Sequence, residues 1–336
     1  MTKLCKQLGL LLAISLVAVG CSSVPSVGYN PWQVVPLPVE TSLQDLVFTD
    51  STGERGWIVG SRTTVLKTTN GGNTWQEQEI DPVLLEDKNY TFTSVSFQGD
   101  EGWIVGEPSI MLRTTDGGET WKRVPLSEKL PGTTAQVLAL GSDVAEMVTD
   151  IGAIYRTEDG GYNWKALVQE AFGVARNIER SLDGRYVAVS SRGNFYSVWE
   201  PGDVAWQPFN RNSSRRVQNM GFGADNRLWM LARGGQIQFS EPGSYEDWQE
   251  AQYPEFSASW GLLAMGYRTP EEIWVAGGSG NLLCSFDGGQ TWQKDRDIEN
   301  VPANLYKIIF LSVDKGYVLG NDGTLLTYRS PSRDAA

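Results

Sequence analysis

The octapeptide Thr114–Trp121, TTDGGETW, decides the fold because the chain repeats it. Related copies are TTNGGNTW (68–75), TEDGGYNW (157–164) and SFDGGQTW (285–292). In each copy, the Asp or Asn side chain can accept hydrogen bonds from backbone N–H groups just ahead of it, and the glycines supply a positive φ. The Trp that ends each copy is expected to start a strand and to bury a large apolar surface. The pattern is that of an Asp-box, a tight turn that joins two strands.

Tryptophan recurs at a wider and nearly constant spacing. It occupies positions 32, 75, 121, 164, 206, 248 and 292, at separations of 42 to 46 residues. Strand-like segments such as GWIVG (56–60) and GYVLG (316–320) form a second repeated column. A period of this length with four short strands, a to d, is typical of a β-propeller blade. We therefore predict an all-β, seven-bladed β-propeller of four-stranded antiparallel blades over residues 31–330, followed by a short tail (331–336).

The last blade has no outer strand in the sequence that follows it. Strands a to c of this blade are predicted within Leu305–Tyr328, and no strand d comes after them. The segment Trp32–Leu37 (WQVVPL) supplies the missing member of the Trp column. We predict that this N-terminal strand pairs with the C-terminal blade, closes the ring and leaves no wide-open sheet edge.

The first thirty residues are predicted to direct the chain to a membrane surface. Two lysines precede an apolar run, LGLLLAISLVAV (8–19), which is too short to span a membrane comfortably. The residues AVGC (18–21) then resemble a bacterial lipobox. We expect residues 1–20 to be a signal peptide, Cys21 to be lipidated and residues 21–30 to form a tether. The alternative is an ordinary secretory signal followed by a chance cysteine.

Composition limits the chemistry available to this protein. The chain has 336 residues, a net charge of −12 and no histidine, so it lacks the commonest general base and metal ligand. The negative charge argues against nucleic acid as a partner of the whole surface. The three cysteines cannot form a disulfide framework, and Cys284 is expected to be a core residue of a strand c rather than a nucleophile. We predict no catalytic residue, no metal and no cofactor.

Arginine is concentrated in the middle of the chain. Residues 176–233 hold nine of the eighteen arginines against five acidic residues, and no lysine occurs between residues 166 and 293. Arginine binds carboxylates bidentately and stacks on aromatic rings, which suits a protein interface better than lysine does. The simpler alternative is a solvated face whose charge is balanced by nearby Asp and Glu.

Propeller topology predicts where these arginines point. The d–a and b–c loops share one face of the ring, and the a–b and c–d loops share the other. Seven arginines are predicted on the first face: Arg62, Arg176, Arg192, Arg211, Arg215, Arg216 and Arg233. Arg185 and Arg227, just before b strands, are predicted on the opposite face.

Arg180 replaces a bulky apolar residue of strand a, and the corresponding residues elsewhere are taken as Phe48, Phe97, Leu140, Phe222 and Phe310. A buried cation is costly without a partner, which we interpret as the mark of a functional position. The predicted partner-binding residues are Arg176, Arg180, Arg192, Arg211, Arg215, Arg216 and Arg233.

With the lipobox, the Asp-box blades and the central arginines, the chain resembles the photosystem II stability/assembly factor of cyanobacteria and chloroplasts. The resemblance covers residues 31–330 in repeats such as GWIVGEPSIMLRTTDGGETW (102–121). It implies a lumenal, non-enzymatic, chaperone-like factor of the thylakoid membrane that binds the precursor D-one subunit early in reaction-centre assembly. It also implies that an arginine patch is the functional surface, which maps onto Arg176, Arg180, Arg192, Arg211, Arg215 and Arg216. Lipidation of Cys21 would fit a cyanobacterial member, and we expect a monomer.

Two other functions stay open on the sequence alone. A sialidase-like glycoside hydrolase would need a pocket with a Tyr–Glu couple or a pair of carboxylates. A passive extracytoplasmic scaffold would have its arginines paired internally with acidic residues.

Overall fold

The computed structural model describes residues 31–49, 53–86, 88–211, 213–255, 261–295 and 301–329. Cys21, the signal peptide, the tether and the tail lie outside the described residues. The helical segments are α1 (Pro82–Leu85) and one 3-10 turn (Gly278–Gly280). No helix in the described part of the chain is long and apolar enough to cross a membrane.

The strands are, in chain order, β1 (Trp32–Val34), β2 (Leu43–Phe48), β3 (Gly56–Gly60), β4 (Val65–Thr68), β5 (Gln76–Glu77), β6 (Thr91–Gln98), β7 (Glu101–Glu107), β8 (Ile110–Thr114), β9 (Lys122–Arg123), β10 (Thr134–Gly141), β11 (Val144–Thr149), β12 (Ile154–Thr157), β13 (Lys165–Ala166), β14 (Ala175–Arg180), β15 (Tyr186–Ser190), β16 (Phe195–Trp199), β17 (Gln207–Asn210), β18 (Val217–Phe222), β19 (Leu228–Ala232), β20 (Gln236–Phe239), β21 (Leu262–Tyr267), β22 (Ile273–Gly277), β23 (Leu282–Ser285), β24 (Gln293–Asp295), β25 (Leu305–Ser312), β26 (Lys315–Gly320) and β27 (Leu325–Tyr328).

These strands form seven antiparallel sheets, which confirms the seven-bladed propeller. Blades 1 to 4 are β2–β5, β6–β9, β10–β13 and β14–β17, while blades 5 and 6 are β18–β20 and β21–β24. Blade 7 has the order β1-β27-β26-β25, so the N-terminal strand closes the ring as predicted. This strand is shorter than the predicted segment 32–37, although Val35 adds one more hydrogen bond from its N–H to the Leu325 carbonyl at 2.9 Å.

Blade 5 departs from the four-stranded pattern. Its outer segment makes only two isolated bridges, Ile237 with Gln252 and Ser240 with Trp248. From Trp248 to Gln252 the outer segment covers four residues, whereas the facing segment from Ile237 to Ser240 covers three. An extra residue of this kind breaks a regular ladder in the manner of a β-bulge. The Trp column is nevertheless kept, because the indole N–H of Trp248 donates to the Tyr196 hydroxyl at 3.0 Å.

The Asp-box turns are built as the sequence predicts. Asp116 accepts a hydrogen bond from the Thr120 N–H at 2.9 Å, and the Thr114 hydroxyl accepts one from the Gly118 N–H at 3.0 Å. The N–H of Gly117 donates to the carbonyl of Asp100 in the a–b turn of the same blade, at 2.8 Å. The c–d and a–b turns therefore lie on one face of the ring, which we call the Asp-box face.

Replacing Asp116 tests this turn chemistry. Hydrogen bonds from Thr114 and Thr120 lower the pKa of the Asp116 carboxyl, so its contribution to stability is present at neutral pH and is lost as the pH falls through that lowered value. We expect Asp116→Ala to lower the free energy of unfolding by about 1 kcal/mol, the usual loss when an oxygen that caps backbone N–H groups is removed. Asp116→Asn should cost less, since Asn70 caps the Thr74 N–H at 3.0 Å in blade 1. Urea denaturation at neutral pH measures both, and equal losses would contradict this account.

Neighbouring blades pack through one repeated pair of side chains. In blades 1 and 2, Trp57 of β3 stacks on Phe97 of β6 with ring centroids 5.8 Å apart. In blades 7 and 1, Tyr317 of β26 stacks on Phe48 of β2 at 5.5 Å. The strand pairing places Ala139, not the predicted Leu140, at the corresponding position of blade 3, since Ala139 pairs with Ala145 as Phe97 pairs with Gly102. Stacked aromatic rings therefore form core contacts at the boundaries between blades 1 and 2 and between blades 7 and 1.

Candidate protein-binding face

Three separate loops bring the predicted arginines together on the face opposite the Asp-boxes. The Arg176 guanidinium donates to the Ser191 carbonyl in the b–c turn of blade 4, at 3.0 Å. The Gly193 carbonyl of that turn accepts the N–H of Val217, beside Arg216, at 2.8 Å. A main-chain hydrogen bond thus joins the b–c turn of blade 4 to the d–a connection between blades 4 and 5.

The same connection also joins the b–c turn of blade 5. The Arg233 N–H donates to the Arg216 carbonyl at 2.9 Å, and the Arg215 guanidinium donates to the Arg233 carbonyl at 3.3 Å. Arg211 in turn donates to the carbonyl of Arg215. We call the resulting surface the arginine face, and its members are Arg176, Arg192, Arg211, Arg215, Arg216 and Arg233. Arg62 lies in the b–c turn of blade 1, on the same side of the ring but in a different blade.

The arginine face carries positive charge that no ion pair among the described residues neutralises. Within the described ranges, none of its six members forms a salt bridge with a carboxylate. Arg185 and Arg227, on the Asp-box face as predicted, pair with Asp183 and Asp225. The arginine face therefore differs from the scaffold alternative, in which the arginines would be paired internally.

Arg180 is separated from this surface. It ends β14, in which Arg176 is the second residue, so the two lie roughly 13 Å apart along the strand. Its guanidinium pairs with Glu146 of blade 3 at 2.9 Å and lies over the Tyr186 ring. Glu146 takes the place that Trp57 and Trp103 hold in blades 1 and 2, so the Glu146–Arg180 ion pair replaces an aromatic stack between blades. Arg180 is thus a cation whose partner is internal, and its predicted part in binding another protein stays a prediction.

Apolar side chains accompany the exposed arginines. Val174, next to the start of β14, is 60% exposed, and its carbonyl accepts the Ser191 N–H at 2.9 Å. Tyr253 is 51% exposed, and the Arg215 guanidinium lies 5.0 Å from the centre of its ring. The sequence reasoning missed both residues, since single apolar residues in loops are common and carry little signal. The face thus offers cationic and apolar contacts side by side.

The central channel adds a cavity of about 450 Å³ lined by strands a of blades 1 to 4 and 7. In it, Lys307 pairs with Asp45 at 2.6 Å, while Glu179 projects from β14. The Glu179 side chain is open to solvent within the channel, although protein surrounds it. This burial raises the pKa of its carboxyl to about 7, and the positive charge of Lys307 opposes the shift. Arg176 lines the same cavity, so the arginine face extends to its edge.

A Tyr–Glu couple does occur beside this channel, which is the arrangement that the hydrolase alternative requires. The Tyr186 hydroxyl lies 2.5 Å from a Glu146 carboxylate oxygen. However, Tyr186 is 2% exposed, and burial together with the nearby Glu146 charge raises the pKa of its phenol well above the usual value. A nucleophile needs the opposite shift and access to substrate. Cys284 is likewise buried in β23, and burial raises the pKa of its thiol to about 12.

Comparison with known proteins gives one consistent result. The family described as the photosynthesis system II assembly factor YCF48 matches residues 24–329. The photosystem II assembly lipoprotein Ycf48 of Trichormus variabilis is 60% identical over 326 residues, which cover 97% of this chain and 95% of that protein. The chloroplastic photosystem II stability/assembly factor HCF136 of Arabidopsis thaliana is 47% identical over 321 residues, with 89% and 79% covered.

A solved structure described as YCF48 bound to a D1 peptide superimposes with a TM-score of 0.87 and 54% sequence identity, covering 91% of this chain and 97% of that one. Sequence and structure thus agree along almost the whole propeller, and the resemblance seen in the sequence is confirmed. The chain belongs to the Ycf48 family of photosystem II assembly factors.

Proposed function

We propose that this protein is a non-enzymatic assembly factor that binds the precursor D1 subunit of photosystem II through its arginine face. The observation that carries the proposal is the gathering of six arginines without carboxylate partners in the described structure. The related Ycf48 structure with a D1 peptide supports the choice of partner.

The chemistry of the face indicates what kind of segment it takes. Guanidinium groups bind carboxylates through paired hydrogen bonds, and unpaired exposed ones favour an acidic or carboxylate-bearing partner. Tyr253 and Val174 add apolar area beside these charges. The partner segment is therefore an exposed lumenal stretch that carries both carboxylates and apolar side chains. Arg180 is left out of this face because Glu146 already holds it.

The proposed location is the lumenal side of the thylakoid membrane, with the chain anchored as a monomer by lipid on Cys21. The lipobox-like AVGC (18–21) supports the anchor, as does the lipoprotein name of the Trichormus variabilis relative. Diacyl and N-acyl chains on one cysteine together bind a membrane more stably than a single chain does.

Charge reversal on the arginine face tests the proposal. A variant with Glu at Arg176, Arg192, Arg211, Arg215, Arg216 and Arg233 should no longer co-purify with the D1 precursor, since truncating one arginine of a desolvated pair already costs about 2–5 kcal/mol. The ring should stay folded because five of the six side chains are exposed and the sixth, Arg211, is only half-buried.

The matched control carries Arg185→Gln and Arg227→Gln on the Asp-box face, where each arginine has an acidic neighbour. This control should keep its D1 precursor in the same pull-down from the native host. Equal loss in both variants, or retention in the six-fold variant, would show that the arginine face is not the binding site.

A further inference from the structure

The central channel contains one carboxylate that the fold does not use. Glu179 of β14 pairs with Val187 of β15, a position of strand a that recurs in every blade. The residues at the corresponding positions are uncharged, and they are Val47, Ser96, Leu138, Gly221, Gly266 and Ile309. Glu179 therefore introduces a charge where the other six blades have none.

Polar side chains two positions earlier in strand a have a structural role. The side-chain amide of Gln136 in blade 3 donates to the Ile178 carbonyl of blade 4 at 2.5 Å. Asp45 of blade 1 accepts the Val95 N–H of blade 2 at 3.0 Å and pairs with Lys307 of blade 7 at 2.6 Å. These side chains join strands a of adjacent blades around the channel.

The Glu179 carboxylate makes no contact of this kind. Its Cγ atom lies against Gly221 of blade 5, 3.1 Å from where a Cβ atom on that glycine would be. Among the described residues, the carboxylate accepts no hydrogen bond and forms no ion pair, and the nearby Lys307 is held by Asp45. A carboxylate that protein surrounds without a cationic partner is costly, which is the cause of its raised pKa. A cation placed beside Glu179 would remove that cost.

The charges that line the cavity leave this carboxylate unbalanced. Four carboxylates face three cations there, and they are Asp45, Glu146, Asp150 and Glu179 against Arg176, Arg180 and Lys307. Lys307 pairs with Asp45 and Arg180 pairs with Glu146, so the net negative charge inside the channel lies at Glu179. Within the described chain, no group of three His, Cys, Asp or Glu is placed to hold a metal ion. A single organic cation therefore fits this site better than a metal does.

The cavity connects Glu179 with the arginine face. Arg176 and Asp150, which lies in the b–c turn of blade 3, line the same cavity of about 450 Å³. Glu179 is three residues beyond Arg176 in β14, so it lies roughly 10 Å deeper along the strand. A segment that docks on the arginine face can therefore extend one long side chain into the channel.

We propose that Glu179 binds a lysine or arginine side chain of the D1 segment that docks on the arginine face. This inference rests on the function proposed above and adds a basic residue to the carboxylates of that segment. An ammonium or guanidinium group donates charge-assisted hydrogen bonds to a carboxylate. The arginine face holds the carboxylates and the channel admits the cation, so together they select a segment in which both charges are close in sequence.

Peptide binding at two pH values tests this assignment. The probes are overlapping synthetic peptides that cover the lumenal segments of the D1 precursor, titrated into the full chain. Because a bound cation needs the ionised carboxylate, the affinity of the wild-type chain should rise about tenfold from pH 6 to pH 8, following the ionised fraction of a group with a pKa of about 7. The chain has no histidine, the side chain that usually titrates in this range. Glu179→Gln should bind at least about tenfold more weakly at pH 8 and lose this pH dependence.

Two further changes complete the test. Glu77→Gln is the matched control, since it removes an exposed carboxylate from the outer strand of blade 1 and should change neither the affinity nor its pH dependence. In the peptide, replacing one lysine or arginine by glutamine should weaken binding to the wild-type chain but cause no further loss with Glu179→Gln. Glutamine keeps the shape of glutamate and removes an uncompensated charge, so this variant should stay folded.

The outcomes separate the channel site from the arginine face. If Glu179→Gln binds as the wild-type chain does at both pH values, or if no basic residue of the peptide couples to Glu179, the channel site is refuted while the arginine face stands. If the six-fold arginine variant binds the peptides as well as the wild-type chain does, or if no peptide binds the wild-type chain, the proposed function fails together with this inference.

Discussion

Trp32→Ala is expected to lower the free energy of unfolding by about 3–5 kcal/mol, the range for deleting a large buried aromatic side chain. Trp32 is buried between two blades, with ring centroids 5.4 Å from Trp274 of blade 6 and 5.3 Å from Tyr328 of blade 7. Its loss removes the main side-chain contact of a strand of only three residues. The edge of β27 would then be exposed, and the ring would open at this blade.

A matched variant separates ring closure from the loss of any tryptophan. Trp164, which follows the Asp-box of blade 3, is half-buried and packs on Trp103 at 6.1 Å. Trp164→Ala should therefore cost clearly less than Trp32→Ala in urea denaturation. A loss for Trp32→Ala equal to or smaller than that of the control would contradict the closure of the ring by β1.

The second large effect is expected at the ion pair between blades 3 and 4. Glu146→Leu leaves Arg180 without its carboxylate and Tyr186 without its acceptor. Breaking a fully buried pair costs about 3–5 kcal/mol, and we expect about 2–4 kcal/mol here because the Arg180 side chain keeps 21% of its exposure. Arg180→Met should cost a similar amount, since Glu146 would then be buried without a cation.

The double variant distinguishes an ion pair from two independent contacts. Glu146→Leu with Arg180→Met removes both charges, so its loss of stability should be smaller than the sum of the single losses by about 0.5–3 kcal/mol. Asp183→Ala, which breaks the more exposed pair with Arg185, serves as the control and should cost under about 1 kcal/mol. Strict additivity in chemical denaturation, or loss of D1 binding in the double variant, would contradict a purely structural role for Arg180.

The repeated turns made the fold predictable, but they did not determine the register of every strand or the shape of every outer segment. Four Asp-boxes and seven spaced tryptophans determine the blade count, and Trp32 supplies the missing outer strand. The choice of Leu140 over Ala139 was wrong, because a register shift between Ala139 and Gly141 leaves Leu140 out of the pairing with β11, and no local signal marks that shift. The irregular outer segment of blade 5 was missed for the same reason.

Propeller topology was enough to predict on which face of the ring the arginines lie. Loop positions alone placed the members of the arginine face on one side of the ring, where the structure has them. The sequence could not pair Arg180 with Glu146, because the contact joins two blades across 34 residues and depends on register. Nor could it single out Val174 and Tyr253, which matter only through the arginines near them.

Photo-crosslinking in native membranes tests the central claim most directly. A photoreactive phenylalanine analogue replaces Val174, which lies among the arginines and is 60% exposed, or Leu182 on the Asp-box face. The claim that D1 docks on the arginine face predicts a covalent adduct with the D1 precursor from position 174 and none from position 182. An adduct from position 182 alone would contradict it.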